Sequence, residues 1–319
     1  MTIEKINGNK FEPINSIKLF GLDNYLQDFV KLYKKDKLPK VIMLTGNKGI
    51  GKFTLAFHFI NYVLSLNTEN KYLLRSCEIN KNNIFYKSIL QNTCENFFYI
   101  QNTNKKKTSI EDIRNIKKKF NTTSINNLHK FTVIDDVEML NINAANALLK
   151  LIEEPSKSDY FILINNKKKQ VIETIKSRSI ETKIFLSVDS QNTILNNLLN
   201  THQIENHYSQ NFIKFSSPGN ILNFSLLLND LKITENKSLY DSTAIILDNY
   251  KKSKDEIFLN CLDFLIEIKF NNVSKFENKD FLKFLNTKSS LIKLLYDFKN
   301  FNLNSTSVLD YIRRHVYYA

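Results

Sequence analysis

The run Gly46-Asn47-Lys48-Gly49-Ile50-Gly51-Lys52 carries the most specific chemical signal in the sequence. Glycines at this spacing let the backbone turn its N–H groups toward one point, where they can hold an anion. Lys52 closes the run and would reach the outer phosphates of a nucleotide. An apolar run precedes it (Lys40–Thr45) and a helical pattern comes after it (Lys52–Leu64). This is the strand–loop–helix context in which GxxxxGK binds phosphate, with the positive end of the helix adding to the attraction. The next residue should be Ser or Thr, whose hydroxyl would hold Mg²⁺, but here it is Phe53. Thr54 comes one place late, about 100° around the helix. ATP and Mg²⁺ are therefore candidate ligands of Gly46, Gly49, Gly51, Lys52 and Thr54, with Phe53 weakening the metal position.

A second acidic element is Thr132-Val133-Ile134-Asp135-Asp136-Val137-Glu138. An aspartate at the end of a hydrophobic strand is where a phosphate-loop enzyme orients metal and water, so Asp135 is the natural candidate. Asp136 beside it is either a second acid of the site or the cap of the next turn of chain.

These residues need a scaffold that sets strand ends beside helix starts. Besides Lys40–Thr45, apolar runs occur at Phe98–Gln101, Phe131–Asp135, Tyr160–Asn165 and Ile180–Leu186. Helical patterns lie between them, at Ser109–Phe120 and Asn143–Glu154, the latter stopped by Pro155. The alternation predicts an α/β domain with a doubly wound, five-stranded parallel sheet. Strand signals end near residue 187. Beyond it, short helices surround a Ser216-Ser217-Pro218-Gly219 turn, and longer amphipathic helices come next, such as Asp255–Lys269 and Lys279–Asn300.

Composition narrows the function classes. The chain has 319 residues and a net charge of +13, from 45 Lys+Arg against 32 Asp+Glu. Such an excess favours polyanions such as nucleic acid, although Lys, Asn and Ile abound together and weaken that inference. The basic runs Lys105–Lys107 and Lys167–Lys169 read as solvated loops. Cys77, Cys94 and Cys261 form neither a disulfide framework nor a four-ligand zinc pattern. His58, His129, His202, His207 and His315 show no ligand or triad spacing. The polar N-terminus is unlike a signal peptide, and no apolar run approaches the ~18 residues of a membrane span. A cytoplasmic location is expected.

The order of segments resembles one family. Leu19-Phe20-Gly21-Leu22-Asp23, the loop Gly46–Lys52 and Ile134-Asp135-Asp136 are succeeded by Asn143-Ala144-Ala145-Asn146-Ala147-Leu148-Leu149-Lys150-Leu151-Ile152-Glu153-Glu154-Pro155. That last run is similar to a segment of bacterial clamp-loader proteins, and Ser177-Arg178-Ser179 resembles their Ser-Arg-Cys motif. The resemblance covers residues 15–186 and reappears at Ser217-Pro218-Gly219.

Clamp loaders are AAA+ proteins, and the resemblance implies an AAA+ module over 1–186, a helical lid over 187–232 and a helical collar over 233–319. It implies a part in the DNA polymerase III holoenzyme, with gamma/tau and delta loader subunits as partners, acting on a sliding clamp and primed DNA. It assigns Arg178 as an arginine finger completing a neighbour's ATP site. It also places a polar sensor at Asn165 or Asn166, and expects Glu at Asp136 and Arg at Asn220. Many relatives hold zinc with four cysteines where this chain has only Cys77 and Cys94, so no zinc is expected. Hydrolysis by this chain itself is not expected; the alternatives are an ATP-hydrolysing gamma/tau subunit or another AAA+ ATPase.

Overall fold

The computed structural model describes residues 11–101, 108–120, 128–204, 212–234, 236–271, 278–301 and 303–316. The run Lys105–Lys107 and His207 lie outside them. By compactness the described residues divide into two units: Glu12–Asn197 with Ser217–Gly219, and Leu198–Ser216 with Phe11 and the described residues from Asn220 onward.

The first unit is a parallel sheet with helices on both faces. Its strands are β1 (Val41–Thr45), β2 (Phe97–Gln101), β3 (Lys130–Asp135), β4 (Asp159–Asn165) and β5 (Ile180–Lys183). They pair in the order β2-β3-β4-β1-β5, each pair parallel. Every residue of β1 and β4 is buried, as expected of central strands covered on both sides.

Alternation along the strands feeds two cores. Ile42, Leu44, Phe131, Val133, Ile162 and Ile164 face one side. They pack under α1 (Asp23–Lys34), α2 (Lys52–Ser65) and α3 (Ile84–Leu90), which contribute Leu26, Phe29, Leu55, Phe59 and Ile89. Val41, Met43, Ile134, Phe161 and Leu163 face the other side. There they meet α4 (Ile110–Phe120), α5 (Ile142–Ile152) and α6 (Glu173–Lys176) through Ile113, Leu148 and Ile175. α2 is buried along nearly its whole length, and His58 within it is fully buried. The helix α7 (Val188–Thr201) comes after the sheet.

The fifth strand is shorter than the apolar run Ile180–Leu186. The Ile184 N–H still donates to Thr45 O (2.8 Å), but the next N–H, of Phe185, donates to the Tyr25 hydroxyl (3.1 Å). That hydroxyl also lies near the Lys183 and Phe185 carbonyls (3.5 and 3.4 Å). β1 turns into the loop at Gly46, so the ladder ends there, while the Phe185 N–H points to the opposite, open edge, where Tyr25 of α1 meets it.

The second unit is helical among its described residues. It holds most of α8 (Pro218–Asp230), then α9 (Leu239–Ser253), α10 (Glu256–Asn271), α11 (Asn278–Phe301) and α12 (Ser305–His315). α9 packs on α10 and α12, and α11 packs on α10 and α12. The shared interior includes Ile246, Leu262, Ile266, Leu291, Val308 and Ile312. Lys288 joins α11 to Glu267 of α10 at 2.7 Å.

Candidate functional site

The sheet's C-terminal edge gathers the sequence-predicted residues other than Arg178. Five buried residues of β1 lead into the loop, and two glycines set its shape: Gly49 has φ +83° and Gly51, the residue before α2, has φ +95°. A side chain rarely adopts either angle. Gly46 is required for another reason, because a Cβ there would lie 3.0 Å from the Ile184 carbonyl.

Lys52 is 3% exposed, and its ammonium donates to the carbonyls of Gly46 and Asn47, each at 2.6 Å. The side chain thus folds over its own loop. Burial pushes its pKa down to about 8, against the pull of Asp135, Glu138 and Asp136. A phosphate in the loop would offer it the opposite charge that the carbonyls supply only as dipoles.

Phe53 occupies the place of the missing hydroxyl and is 8% exposed. Its ring lies 4.5 Å from that of Tyr99 on β2 and stacks with Phe57 at 5.9 Å. Thr54 is half-buried one position further around the helix.

Asp135 and Asp136 meet at the end of β3. Asp136 takes the left-handed conformation (φ +54°, ψ +46°) and starts a 3-10 turn, Val137–Met139. The turn folds the acids back toward the end of β4, where Asn166 waits. Its amide donates to Asp135 Oδ1 (2.9 Å) and Asp136 Oδ1 (2.8 Å). Asp135 Oδ1 also accepts the Asp136 N–H (2.9 Å), and the Tyr99 hydroxyl reaches Asp135 Oδ2 at 3.5 Å. Asp136 Oδ2 pairs with the Lys168 ammonium at 3.0 Å, and with Lys48 at 4.0 Å. Burial pushes the Asp135 carboxyl up, and the neighbouring Asp136 adds to this, while the Asn166 amide opposes both.

Glu138, to which no motif gives a role, completes the cluster. Its Oε1 accepts from the backbone N–H of Asn166 (3.0 Å) and Lys168 (3.2 Å). Its Oε2 is buried without a hydrogen-bond partner, and burial raises its pKa. Its place two residues beyond the Asp135-Asp136 pair is the only sequence cue to it.

Asn165 does different work from Asn166. Its amide lies 3.4 Å from the Thr45 hydroxyl, and its side-chain oxygen accepts the Lys167 N–H (2.9 Å). Its backbone carbonyl accepts the Gly46 N–H (3.2 Å). Asn165 therefore ties β4 to the start of the loop, whereas Asn166 holds the acids.

The Ser217-Pro218-Gly219 turn also reaches the loop. Ser217 Oγ donates to Lys48 O (2.6 Å) and the Gly219 N–H to Gly49 O (2.9 Å). A Cβ on Gly219 would come within 2.7 Å of that Gly49 oxygen, which explains the glycine.

Arg178 lies apart from this cluster, in the turn between α6 and β5. One guanidinium nitrogen donates to Thr174 O (3.1 Å), and another pairs with Glu153 Oε1 at 2.9 Å. The pair is partly exposed, at 37% for Arg178 and 47% for Glu153.

Cys77 and Cys94 are free thiols, and burial pushes Cys77 up to about 12. Among the described residues no group of three or more His, Cys, Asp or Glu side chains could hold a metal. Nor is any described helix long and apolar enough to cross a membrane.

A family model described as "DNA polymerase III, delta subunit" matches residues 21–186, which span the sheet, the loop, the acids and Arg178. The chain belongs to this family. It is a member of the DNA polymerase III clamp-loader proteins, and its sheet with flanking helices is an α/β AAA+ fold with helices C-terminal to it.

Relatives include the DNA polymerase III gamma subunit of Buchnera aphidicola subsp. Schizaphis graminum, 29% identical over 60% of this chain and 50% of that protein. The delta' subunit of the same bacterium is 24% identical over 67% of this chain and 63% of that protein. The delta' subunit of Pseudomonas aeruginosa is 27% identical over 44% and 41%. The chain thus spans about half to 63% of the curated relatives matched first. Among solved structures, a gamma subunit-related protein of Thermotoga maritima aligns with a TM-score of 0.53 at 15% identity. The alignment covers 91% of this chain and 99% of that one, a likeness of fold.

Proposed function

We propose that the chain serves as a delta-prime-type subunit of the DNA polymerase III clamp loader. In this reading it does not turn over ATP. It supplies Arg178 to the ATP site of a neighbouring gamma/tau subunit, in a complex that with delta places the sliding clamp on primed DNA. Residues 1–186 act as the AAA+ module, 187–232 as the lid, and 233–319 as the collar that joins the subunits.

The observation that carries this reading is the state of the acids. Every carboxylate oxygen of Asp135 and Asp136 already has an internal donor or cation, from Asn166, Tyr99, Lys168 and the Asp136 N–H. Phe53 offers the metal position a ring where magnesium needs oxygen. The residues present do not fit a divalent cation, and no hydrolytic step is assigned to them. The loop's N–H groups and Lys52 do suit a phosphate, so Gly46, Gly49, Gly51 and Lys52 are proposed to retain an anion-binding capacity, with Asn165 bracing the loop.

Arg178 suits its proposed part because a guanidinium holds two phosphate oxygens in its plane and stays charged. In phosphoryl-transfer systems a cation supplied from a neighbour is worth ~10³–10⁵ in rate. Arg178→Ala should therefore leave assembly intact and reduce the clamp- and DNA-stimulated ATPase of the reconstituted loader. Unchanged stimulated turnover would remove Arg178 from this role.

The identity with a gamma subunit favours a second reading, in which the chain is itself the ATPase. Turnover by the purified chain, abolished by Lys52→Ala, would establish it.

A further inference from the structure

Arg178 is held at the meeting of two helix ends. Glu153 is the residue just past α5, so its carboxylate sits at the negative end of that helix, where an anion is disfavoured. Glu154 adds a second charge there. Arg178 offsets the first: one nitrogen pairs with Glu153 Oε1, while another takes the Thr174 carbonyl in α6. The guanidinium is thereby turned back on its own chain, with two of its nitrogens engaged. A phosphate on another subunit must compete with Glu153 for them.

We propose that Glu153 is a positioning residue that keeps Arg178 in reserve. It holds the cation on this chain until a neighbour's triphosphate, drawn close by assembly on clamp and DNA, displaces the carboxylate. This inference rests on the proposed role of Arg178 and adds its regulation. The exchange swaps one carboxylate for a more highly charged phosphate group. The pair is exposed enough for water to reach it, and such pairs are weak, worth ~0.2–1 kcal/mol. The reserve is therefore shallow, a bias of a few-fold that binding energy at the assembled interface overcomes.

The test is steady-state ATPase of the reconstituted loader, with and without clamp and primed DNA, for Glu153→Gln, Arg178→Ala and the double variant. Glu153→Gln should raise the unstimulated rate by about 2–5-fold, chiefly through a lower KM for ATP. It should change the stimulated kcat little, because Glu153 is already displaced there. Glu153→Asp should restore part of the restraint, and Glu154→Gln should leave the rates as they were. The double variant should match Arg178→Ala, since the carboxylate acts only through the guanidinium.

If Arg178→Ala lowers turnover but Glu153→Gln leaves it unchanged or lowers it, the reserve is overturned while the arginine keeps its role. If Glu153→Gln still raises the rate in the absence of Arg178, Glu153 acts elsewhere and the proposal also fails. If Arg178→Ala changes nothing, the functional reading falls, and this inference with it.

Discussion

His58 shows how a single buried side chain sets a pH dependence. Its Nε2 lies 3.0 Å from the Ser16 carbonyl, which can only accept, so Nε2 carries the proton. Nδ1 then accepts from the Tyr72 hydroxyl at 2.8 Å. Burial, opposed by the Ser16 hydrogen bond, pushes the imidazole down to about 4. Between that value and about 6.5 the unfolded chain binds a proton that the folded chain refuses. Stability from His58 is therefore full above about pH 6.5 and is lost as pH falls toward 4. The expected loss at pH 5 is about 2 kcal/mol. Asp135 and Glu138, whose carboxyls are raised, titrate with the opposite sign. Urea unfolding of wild type against His58→Gln at pH 7 and pH 5 isolates the histidine; equal pH slopes would contradict the assignment. At this scale Phe53, the acids and the arginine are legible in the sequence, because each stands at a fixed offset in a motif. The partnership of Asn166, Lys168 and Glu138 with the acids is not. Asn166 and Lys168 lie about thirty positions from Asp135 and Asp136, and they meet them only because Asp136 turns through the left-handed region.

Among the elements, the central strands β1 and β4 are the most legible, since short apolar runs bounded by polar segments suit strands buried on both faces. The apolar run of β5 overshoots its strand because Ile184 and Leu186 still pack against the core, although the ladder with β1 ends at the bond from the Ile184 N–H to Thr45 O. The short helix α3 leaves no comparable mark, since seven residues display too little periodicity. α5 shows how local chemistry marks an element's start. Asn141 accepts the Ala144 N–H at 2.8 Å, and Ala144, Ala145 and Leu148 then bury one face. Asn141→Ala should cost about 1 kcal/mol, read as a lowered urea midpoint with unchanged slope. No change would mean that the helix start is fixed by packing alone. The other end of this helix presents Glu153 to Arg178.

Across the whole molecule, sequence marks where strand signals cease, but compactness depends on contacts that sequence order hides. Ser217–Gly219 belong with the sheet unit although the chain has already entered the helical one. Their two hydrogen bonds to the loop carbonyls explain why. Ser217→Ala should destabilise the protein by about 1 kcal/mol. Gly219→Ala should do so by more, despite alanine's higher helix propensity, because the new methyl meets the Gly49 oxygen. A thermal melt of each variant checks the order, and a stabilised Gly219→Ala would show that the turn does not grip the loop. The Tyr25 phenol has a consequence of its own. A parallel sheet ends in two open rims, each a template on which a stray polypeptide can assemble. At the end of the β5 rim, one hydroxyl accepts the Phe185 N–H and lies near the Lys183 and Phe185 carbonyls, where such growth would continue. The C-terminal stretch of that rim is thus closed to an incoming strand by an aromatic side chain, without proline or a bulge.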